Sequence, residues 1–331
     1  MTALLEVRNI KTYFYTQDGV VKAVDGVSYD VNRGETIALV GESGCGKTVS
    51  ALSILRLVAE PAGKIVSGEI LFEGIDLLKL SNEEMRKMRG AKISIIFQEP
   101  LTSLNPVLTI GRQISEGLEF HKNMSVREGM QEATGLLQMV GIPHPERRIY
   151  DFPHQFSGGM RQRAMIAIAI ACQPQLIIAD EPTTVVDVTI QAQLLELIRN
   201  ITKELNTALI LITHNLGIVA RYAKRVFVMY AGNIVEYGNA LDVYHYPCHP
   251  YTAGLLASVP RLDEPRKTRL QPIEGQPPDL ISTPIGCSFQ DRCVYSIPQC
   301  LKEKPPLLEI TPNHYAACWV SQKGLRQWQK L

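Results

Sequence analysis

The stretch Thr36-Ile-Ala-Leu-Val40, followed directly by Gly41-Glu-Ser-Gly-Cys-Gly-Lys-Thr48, decides the fold of this 331-residue chain. The first five residues are mostly apolar and predict a buried strand. The next eight fit the pattern G-x-x-x-x-G-K-[ST], in which glycines let backbone N–H groups turn inward around a phosphate. Lys47 would then reach the β- and γ-phosphates of a nucleotide, and the Thr48 hydroxyl would ligate Mg²⁺. We therefore predict a phosphate-binding loop between this strand and a helix over Thr48–Val58.

Short apolar runs elsewhere predict further strands. They alternate with helical stretches over the first two-thirds of the chain, which is typical of an α/β domain with a largely parallel sheet. The predicted strands are Ile93–Phe97, Leu176–Ala179 and Ala208–Thr213, followed by a hairpin of Val226–Tyr230 and Asn233–Glu236. Each run ends in polar residues, as expected where strand ends carry a site.

Two carboxylates directly follow the predicted strand Leu176–Ala179. Asp180 suits the outer shell of a Mg²⁺ ion, which neutralises charge on a transferring phosphoryl group. Glu181 suits the polarising and orienting of an attacking water molecule. Acidic pairs at strand ends are also common on plain surfaces, but the phosphate-binding loop upstream favours the functional interpretation.

Composition excludes several classes of protein. The formal net charge of +1 argues against a nucleic-acid partner. The longest purely apolar run, Ala164–Cys172, is about half of what a membrane span needs. We therefore expect a soluble, cytoplasmic protein without a transmembrane segment of its own, which associates with a membrane only through its partners.

The stretch Phe156-Ser-Gly-Gly-Met-Arg-Gln-Arg163, between the loop and the acidic pair, makes the interpretation specific. It resembles the signature sequence of ABC transporter ATPases. Gln98 resembles that family's Q-loop glutamine, Asp187 its D-loop aspartate and His214 its switch histidine. These pieces stand in the family's order along the chain.

The resemblance implies a fold and an activity. The fold is α/β, the P-loop NTPase fold of ABC ATPases, with a RecA-like parallel sheet core, a β-subdomain and a helical signature subdomain at about residues 100–165. The activity is ATP hydrolysis that powers a transporter. Two such subunits bind two ATP molecules head to tail. ATP binding closes the dimer and hydrolysis reopens it.

The same resemblance implies the site residues. ATP would be bound by Tyr13, Phe14, Gly41, Ser43, Gly44, Cys45, Gly46, Lys47, Thr48 and Asp180, with one of the two aromatic residues stacking on adenine. The other subunit of the dimer would contribute Ser157, Gly158, Gly159 and Asp187. Mg²⁺ would be bound through Thr48, Gln98 and Asp180, and the catalytic residues would be Glu181, His214 and Gln98.

Three longer stretches resemble one branch of this family, the D-type ATPase subunits of dipeptide and oligopeptide importers. They are Gln98-Glu-Pro-Leu-Thr-Ser-Leu-Asn-Pro106, Asp187-Val-Thr-Ile-Gln-Ala-Gln193 and Cys248-His-Pro-Tyr-Thr-Ala-Gly-Leu-Leu256. The branch implies a second, F-type ATPase subunit, two transmembrane permease subunits and an extracytoplasmic substrate-binding protein as partners. It also implies a peripheral location on the cytoplasmic side of the plasma membrane.

The cargo and the dimer partner stay open at the level of sequence. ATPase subunits do not touch the cargo, so importers of nickel, metal–chelate complexes or opine-like substrates are alternatives, as is a soluble ABC ATPase without a transport role. A homodimer is also compatible with the intact motif set. Two departures from the family pattern, Val185-Val186 before the D-loop aspartate and Asn215 after His214, are expected to affect turnover rather than competence.

Four of the seven cysteines, Cys287, Cys293, Cys300 and Cys318, lie in the last fifth of the chain, where prolines are dense. We predict an ATPase domain over residues 1–258 and a small Cys-rich domain over residues 259–331, which has too little apolar content to fold without a staple. Zn²⁺ and a [4Fe–4S] cluster both accept four thiolates, but the spacing lacks the C-x₂-C pairs of most structural zinc sites. The importer tails that this segment resembles carry an iron–sulfur cluster, while zinc or no metal stays open. We expect His314 to be a surface histidine.

Overall fold

The structure, a computed structural model, describes residues 3–183, 187–258, 272–325 and 328. Val185, Val186 and the predicted domain boundary at residue 259 therefore lie outside the described residues. The strands are β1 (Leu5–Thr16), β2 (Gly19–Val31), β3 (Thr36–Val40), β4 (Gly63–Phe72), β5 (Ile75–Asp76), β6 (Ile93–Ile96), β7 (Leu176–Asp180), β8 (Ala208–Thr213), β9 (Arg225–Tyr230), β10 (Asn233–Asn239), β11 (Leu308–Thr311) and β12 (His314–Ala316).

The helices follow in chain order. They are α1 (Lys47–Ile54), α2 (Asn82–Met88), α3 (Pro100–Ser103), α4 (Ile110–Lys122), α5 (Val126–Met139), α6 (Pro145–Arg148), α7 (Gly158–Ile170), α8 (Val188–Glu204), α9 (Leu216–Tyr222), α10 (Ala240–His245), α11 (Pro250–Ala257), α12 (Pro298–Lys302) and α13 (Trp319–Gln322). None of the helices in the described part of the chain is long and apolar enough to cross a membrane.

The chain divides into two compact units. The first comprises the described residues of Met1–Val31, Thr36–Leu78 and Thr213–Leu331. The second comprises those of Asn32–Glu35 and Lys79–Ile212.

The first unit contains an antiparallel sheet in the order β2-β1-β4-β5. Leu5 of β1 lies opposite Val31 of β2 on one side and Phe72 of β4 on the other. Leu5 and Val7 are buried, and Glu6 between them is half-buried, so one face of β1 packs on a core.

The same unit contains five strands in the order β11-β12-β10-β9-β3. β3 has the predicted limits and runs parallel to β9, and β9 and β10 form the predicted antiparallel hairpin. The predicted extension of the following helix to Val58 is wrong. The helix ends at Ile54, because Arg56 has a left-handed φ of +51° that breaks the helical path.

The described part of the C-terminal segment adds strands to this unit. β12 pairs with β10, placing Tyr315 opposite Tyr237, and the two rings stack with centroids 4.5 Å apart and planes 5° apart. The Trp328 indole is buried and donates a 2.9 Å hydrogen bond to the Pro247 carbonyl. Part of this proline-rich tail is therefore held by strand pairing and aromatic packing.

The second unit contains the parallel strands β8, β7 and β6, in that order. All five residues of β7 are buried, as expected for a parallel strand covered on both faces. Several of its helices, among them α2, α4, α5, α7 and α8, begin at a side-chain cap. In α5, the Ser125 hydroxyl accepts from the Glu128 N–H, and the Glu128 carboxylate accepts from the Ser125 N–H.

Candidate functional site

The glycine-rich loop of the first unit lies between β3 and α1, where the sequence predicted it. Ser43, Gly44 and Thr48 are exposed, whereas Lys47 is 5% exposed. The Lys47 Nζ donates to the carbonyl oxygen of Gly41 at 2.8 Å and to that of Glu42 at 2.9 Å. The ammonium group is therefore turned into the loop, where an anion would meet a positive charge.

Two glycines give the loop its close contact with neighbouring strands. A Cβ atom on Gly41 would lie 2.2 Å from the Met229 carbonyl oxygen of β9. A Cβ atom on Gly46 would lie 2.2 Å from the Ala23 carbonyl oxygen of β2, and Gly46 has a φ of +105°. Other residues cannot take these positions without moving backbone, so the loop path requires glycine.

Cys45 is the buried side chain of the loop. Its Sγ lies 3.7 Å from the Lys47 Nζ. Burial raises the pKa of the Cys45 thiol, although the Lys47 charge acts in the opposite direction. The side chain therefore remains a neutral thiol at pH 7 and packs beneath the loop.

The loop also has contacts that sequence reasoning missed. The Glu42 N–H donates to the Tyr251 hydroxyl at 2.8 Å, and the Glu42 carboxylate accepts two hydrogen bonds from Arg292. Arg292 directly precedes Cys293, but no sequence pattern connects this arginine to residue 42.

The two aromatic residues of β1 differ in their surroundings. The Tyr13 hydroxyl donates to an Asp25 carboxylate oxygen at 2.8 Å. Phe14 packs on the backbone of Gly63, where an added Cβ atom would lie 2.8 Å from its Cε1. Phe14 therefore packs on backbone, whereas the Tyr13 hydroxyl is hydrogen-bonded to a carboxylate.

In the second unit, the polar residues after β6 and β7 come together because these strands are parallel neighbours. The Gln98 Nε2 donates to Glu181 Oε2 at 3.3 Å. Asp180 is 2% exposed, and the Glu181 N–H donates to the Ile212 carbonyl at 3.0 Å. Glu181 has a left-handed φ of +42°, which is uncommon for a residue with a side chain and is often found at functional positions.

The signature stretch places Ser157 at the N-terminus of α7. The Ser157 hydroxyl accepts from the Met160 N–H, and Phe156 beside it is buried. Ser157 and Gly158 are exposed, and Gly159 lies against Ile190 of α8. The N-terminus of α7 is therefore held in the protein by the buried Phe156 and is exposed at Ser157 and Gly158.

Asp187 caps the next helix, α8. Its carboxylate accepts from the N–H groups of Thr189 and Ile190, each at 3.0 Å, and the residue is exposed. A carboxylate at the N-terminus of a helix is also stabilised by the helix dipole.

His214 directly follows β8 in the chain and is exposed. Asn215, the departure from the family pattern, caps α9 by accepting from the Gly217 N–H at 2.9 Å. Asparagine and aspartate are about equally good at this position, so the departure leaves the helix cap intact.

The four C-terminal cysteines are free thiols in the first unit. The Cys287 N–H donates to the Cys300 carbonyl at 2.8 Å. Burial, with smaller contributions from the neighbouring Cys300 and Cys318, raises the pKa of Cys287 to about 11. Burial likewise raises the pKa of Cys293 to about 12, with contributions from the other three thiols. The four sulfurs are therefore close enough to interact electrostatically.

His314 lies in the interior, so the expectation of a surface histidine is wrong. It is 2% exposed, its Nε2 lies 2.7 Å from Glu236 Oε1, and its Nδ1 lies 3.7 Å from Cys248 Sγ. The Glu236 carboxylate also accepts from the N–H groups of Cys248 and His249. β12 carries His314 into the unit by pairing with β10, and this pairing has no signature in the local sequence.

Glu236, Cys248 and His314 have ligand atoms within 4.8 Å of one another, and they are the one such group among residues 3–183, 187–258 and 272–325. The two ring nitrogens of His314 point toward different partners. In this structure the group forms a buried hydrogen-bond network that joins β12 to β10.

The geometry defines a class of protein. The first unit holds a strand, a glycine loop with an inward lysine and a helix, and the second holds a strand ending in two carboxylates and a helix capped by the Ser-Gly-Gly serine. This combination is that of a nucleotide-binding ABC ATPase. The comparisons with known proteins agree with it.

Residues 24–184 match the ABC transporter family, and residues 235–300 match the C-terminal region of oligopeptide/dipeptide transporters. A probable peptide ABC transporter ATP-binding protein of Sinorhizobium fredii is 50% identical over 97% of this chain and 96% of its own. A dipeptide transport ATP-binding protein of Bacillus subtilis is 50% identical over 98% and 96%. A dimeric ATP-binding cassette solved in a post-hydrolysis state with ADP and Pi has a TM-score of 0.64 and 27% identity, over 71% of this chain and 98% of that chain.

The chain belongs to the ABC transporter ATP-binding proteins, in the group that carries the oligopeptide/dipeptide transporter C-terminal region. Members of this family couple ATP hydrolysis to transport. The predicted ABC ATPase fold is confirmed.

The His314 network predicts a pH dependence of stability. Burial alone would lower the pKa of His314, but its hydrogen bonds to Cys248 and Glu236 and the Glu236 charge outweigh burial and raise the pKa from 6.5 to about 9. The stabilisation is therefore complete below pH 6.5 and is lost as the pH rises through 9. The difference in free energy of unfolding between the wild type and His314→Gln should shrink by about 3 kcal/mol between pH 6 and pH 10 in urea titrations.

The exposed His154 provides the control, since His154→Gln should show no such trend. A difference between the wild type and His314→Gln that stayed constant over this pH range would contradict a protonated imidazole in the network.

Proposed function

We propose that this chain is the ATP-hydrolysing subunit of a dipeptide or oligopeptide importer. The observation that carries the proposal is the inward Lys47 of the glycine loop, in a chain about half identical over nearly its full length to peptide-transport ATP-binding proteins. The proposed partners are an F-type ATPase subunit, two transmembrane permease subunits and an extracytoplasmic substrate-binding protein. The chain would lie peripherally on the cytoplasmic side of the plasma membrane.

The loop would hold the phosphates. Lys47 would exchange its carbonyl partners for the β- and γ-phosphate oxygens, which are better acceptors because they carry charge. The exposed backbone at Ser43 and Gly44 and the buried backbone at Gly46 would donate to phosphate, and the exposed Thr48 would ligate Mg²⁺ through its hydroxyl. Gly41 and Cys45 would shape the loop from beneath.

Phe14 suits adenine stacking better than Tyr13. The Phe14 ring carries no hydrogen-bonding group, whereas the hydroxyl of Tyr13 is hydrogen-bonded to Asp25. A ring free of such a bond can adjust to a base.

Glu181 would be the residue that polarises the attacking water. Its carboxylate receives a hydrogen bond from Gln98, which would orient it and also contact Mg²⁺. Asp180, buried at the end of β7, would act in the outer shell of the metal ion, and the exposed His214 would contact the γ-phosphate.

The N-terminus of α7 would bind the nucleotide of the partner subunit. Ser157 and Gly158 are exposed, and with Gly159 they present a hydroxyl and backbone N–H groups to an anion. Asp187, exposed at the start of α8, would take part in the same contact. Closure of the dimer would then depend on the γ-phosphate. ATP binding would close the dimer, and hydrolysis would reopen it.

The four C-terminal thiols would hold a [4Fe–4S] cluster. Their mutual electrostatic interaction and burial fit a shared metal site. The spacing of the four cysteines lacks the C-x₂-C pairs of most structural zinc sites, which favours a cluster over zinc. A structural or sensing role is favoured over electron transfer.

Glu181→Gln should leave ATP binding intact and lower ATP hydrolysis by roughly 100-fold or more, because the amide cannot accept a proton from the attacking water. The measurement is phosphate release by the assembled transporter, with uptake of a labelled tripeptide in cells that carry the same variant. Both should fall together.

Glu132→Gln, on the exposed surface of α5, makes the same chemical change away from the site and should leave both rates unchanged. Unchanged hydrolysis in Glu181→Gln would contradict the role of Glu181. Intact tripeptide uptake with lost uptake of nickel would contradict the peptide cargo.

The cluster predicts the metal content of the chain. Anaerobically purified protein should contain roughly four iron and four sulfide ions per chain, and Cys293→Ser should lose most of both. Cys172→Ser, in the second unit, is the matched control and should keep them. Stoichiometric zinc, or iron content unchanged by Cys293→Ser, would contradict the cluster.

A further inference from the structure

Glu42, at the first variable position of the glycine loop, is held at three of its polar groups. Its N–H donates to the Tyr251 hydroxyl at 2.8 Å, and its carbonyl accepts from the Lys47 Nζ at 2.9 Å. Its carboxylate accepts two hydrogen bonds from Arg292, at 2.7 Å and 2.9 Å. Two of these three groups are therefore fixed by residues of the C-terminal third of the chain.

Arg292 is itself immobilised by groups outside the loop. Its Nε donates to the Glu274 carbonyl at 3.0 Å, and its Nη2 donates to the Ile273 carbonyl at 3.3 Å. The guanidinium lies 5.8 Å from the ring centre of Tyr230 and 5.9 Å from that of Phe289, and its side chain is 4% exposed. A planar donor group held in this way determines where its carboxylate partner lies.

The position of Glu42 also affects Lys47, through the loop backbone. The Arg292 pair fixes the side chain of Glu42, and the carbonyl of the same residue is one of the two acceptors that hold the Lys47 ammonium. Moving Glu42 would therefore move the position from which Lys47 meets a phosphate.

We infer that Arg292 is a positioning residue for nucleotide binding, which acts through Glu42 on the phosphate-binding loop and does not touch the nucleotide. The inference rests on the proposed function, since it concerns the loop that would bind ATP. It gives the segment between Cys287 and Cys293 a role in the ATPase that is separate from metal binding.

A second ion pair of the same kind provides a matched control. Arg225 donates to the two carboxylate oxygens of Asp30 at 3.0 Å and 2.9 Å. Arg225 lies opposite Ile37, at the end of β3 remote from the loop. Arg225→Gln therefore removes a carboxylate–guanidinium pair from the same unit and leaves the contacts of Glu42 in place.

The test is a double-mutant cycle on the affinity of the full-length chain for ATP with Mg²⁺, measured by calorimetric titration. Arg292→Gln and Glu42→Gln should each weaken ATP binding by about tenfold, and the double variant should be no weaker than either single variant, because the two residues act as one unit. Arg225→Gln should stay within about twofold of the wild type. Melting temperatures of all variants show which changes in ATP affinity come from a loss of stability alone.

Losses that multiply in the double variant would overturn the inference, because the residues would then act independently. An unchanged affinity of Arg292→Gln beside a lowered melting temperature would overturn it too, since the pair would only stabilise the fold. If Arg292→Gln does not fold, Arg292→Lys keeps the charge and loses the paired geometry, and wild-type affinity in that variant would be contrary to the inference. Absence of ATP binding by the wild type would instead contradict the proposed function.

Discussion

The buried ammonium of Lys47, bonded to the carbonyls of Gly41 and Glu42, is the interaction on which the site depends. A charge that is 5% exposed must be compensated, and here the loop's own backbone compensates it. The loop can close around the ammonium because glycines at 41 and 46 let it approach the backbones of β9 and β2. The charge is thus held within the loop before any anion arrives, and phosphate oxygens would replace the two carbonyls as its partners.

Within each unit, strands and helix caps position the candidate site residues. In the first unit, β3 delivers the loop and α1 continues from it. In the second, the parallel pairing of β6 and β7 brings Gln98 to Glu181, and helix caps fix Ser157 and Asp187 at exposed helix starts. Backbone geometry, rather than long flexible side chains, therefore fixes most of these positions.

The sequence predicted those features that local patterns encode. The limits of β3 and β8, the β9–β10 hairpin and the loop itself follow from apolar runs, turns and glycine spacing. The end of α1 was missed, because a single residue with a left-handed backbone decides it. The burial of His314 and the contact of Arg292 with Glu42, 250 residues away, were missed because they depend on tertiary pairing that no local pattern records. The resemblance to a family supplied the roles of the site residues, which geometry alone would not have given.

Lys47 is the residue proposed to bind the nucleotide phosphates, and the affinity of this chain for ATP tests that role most directly. Lys47→Ala should weaken ATP binding by roughly 100-fold or more, the effect of losing a charged donor to phosphate. Lys203→Ala, an exposed lysine of α8, should leave the affinity unchanged. Equal affinity of the wild type and Lys47→Ala, with both proteins folded, would contradict the account.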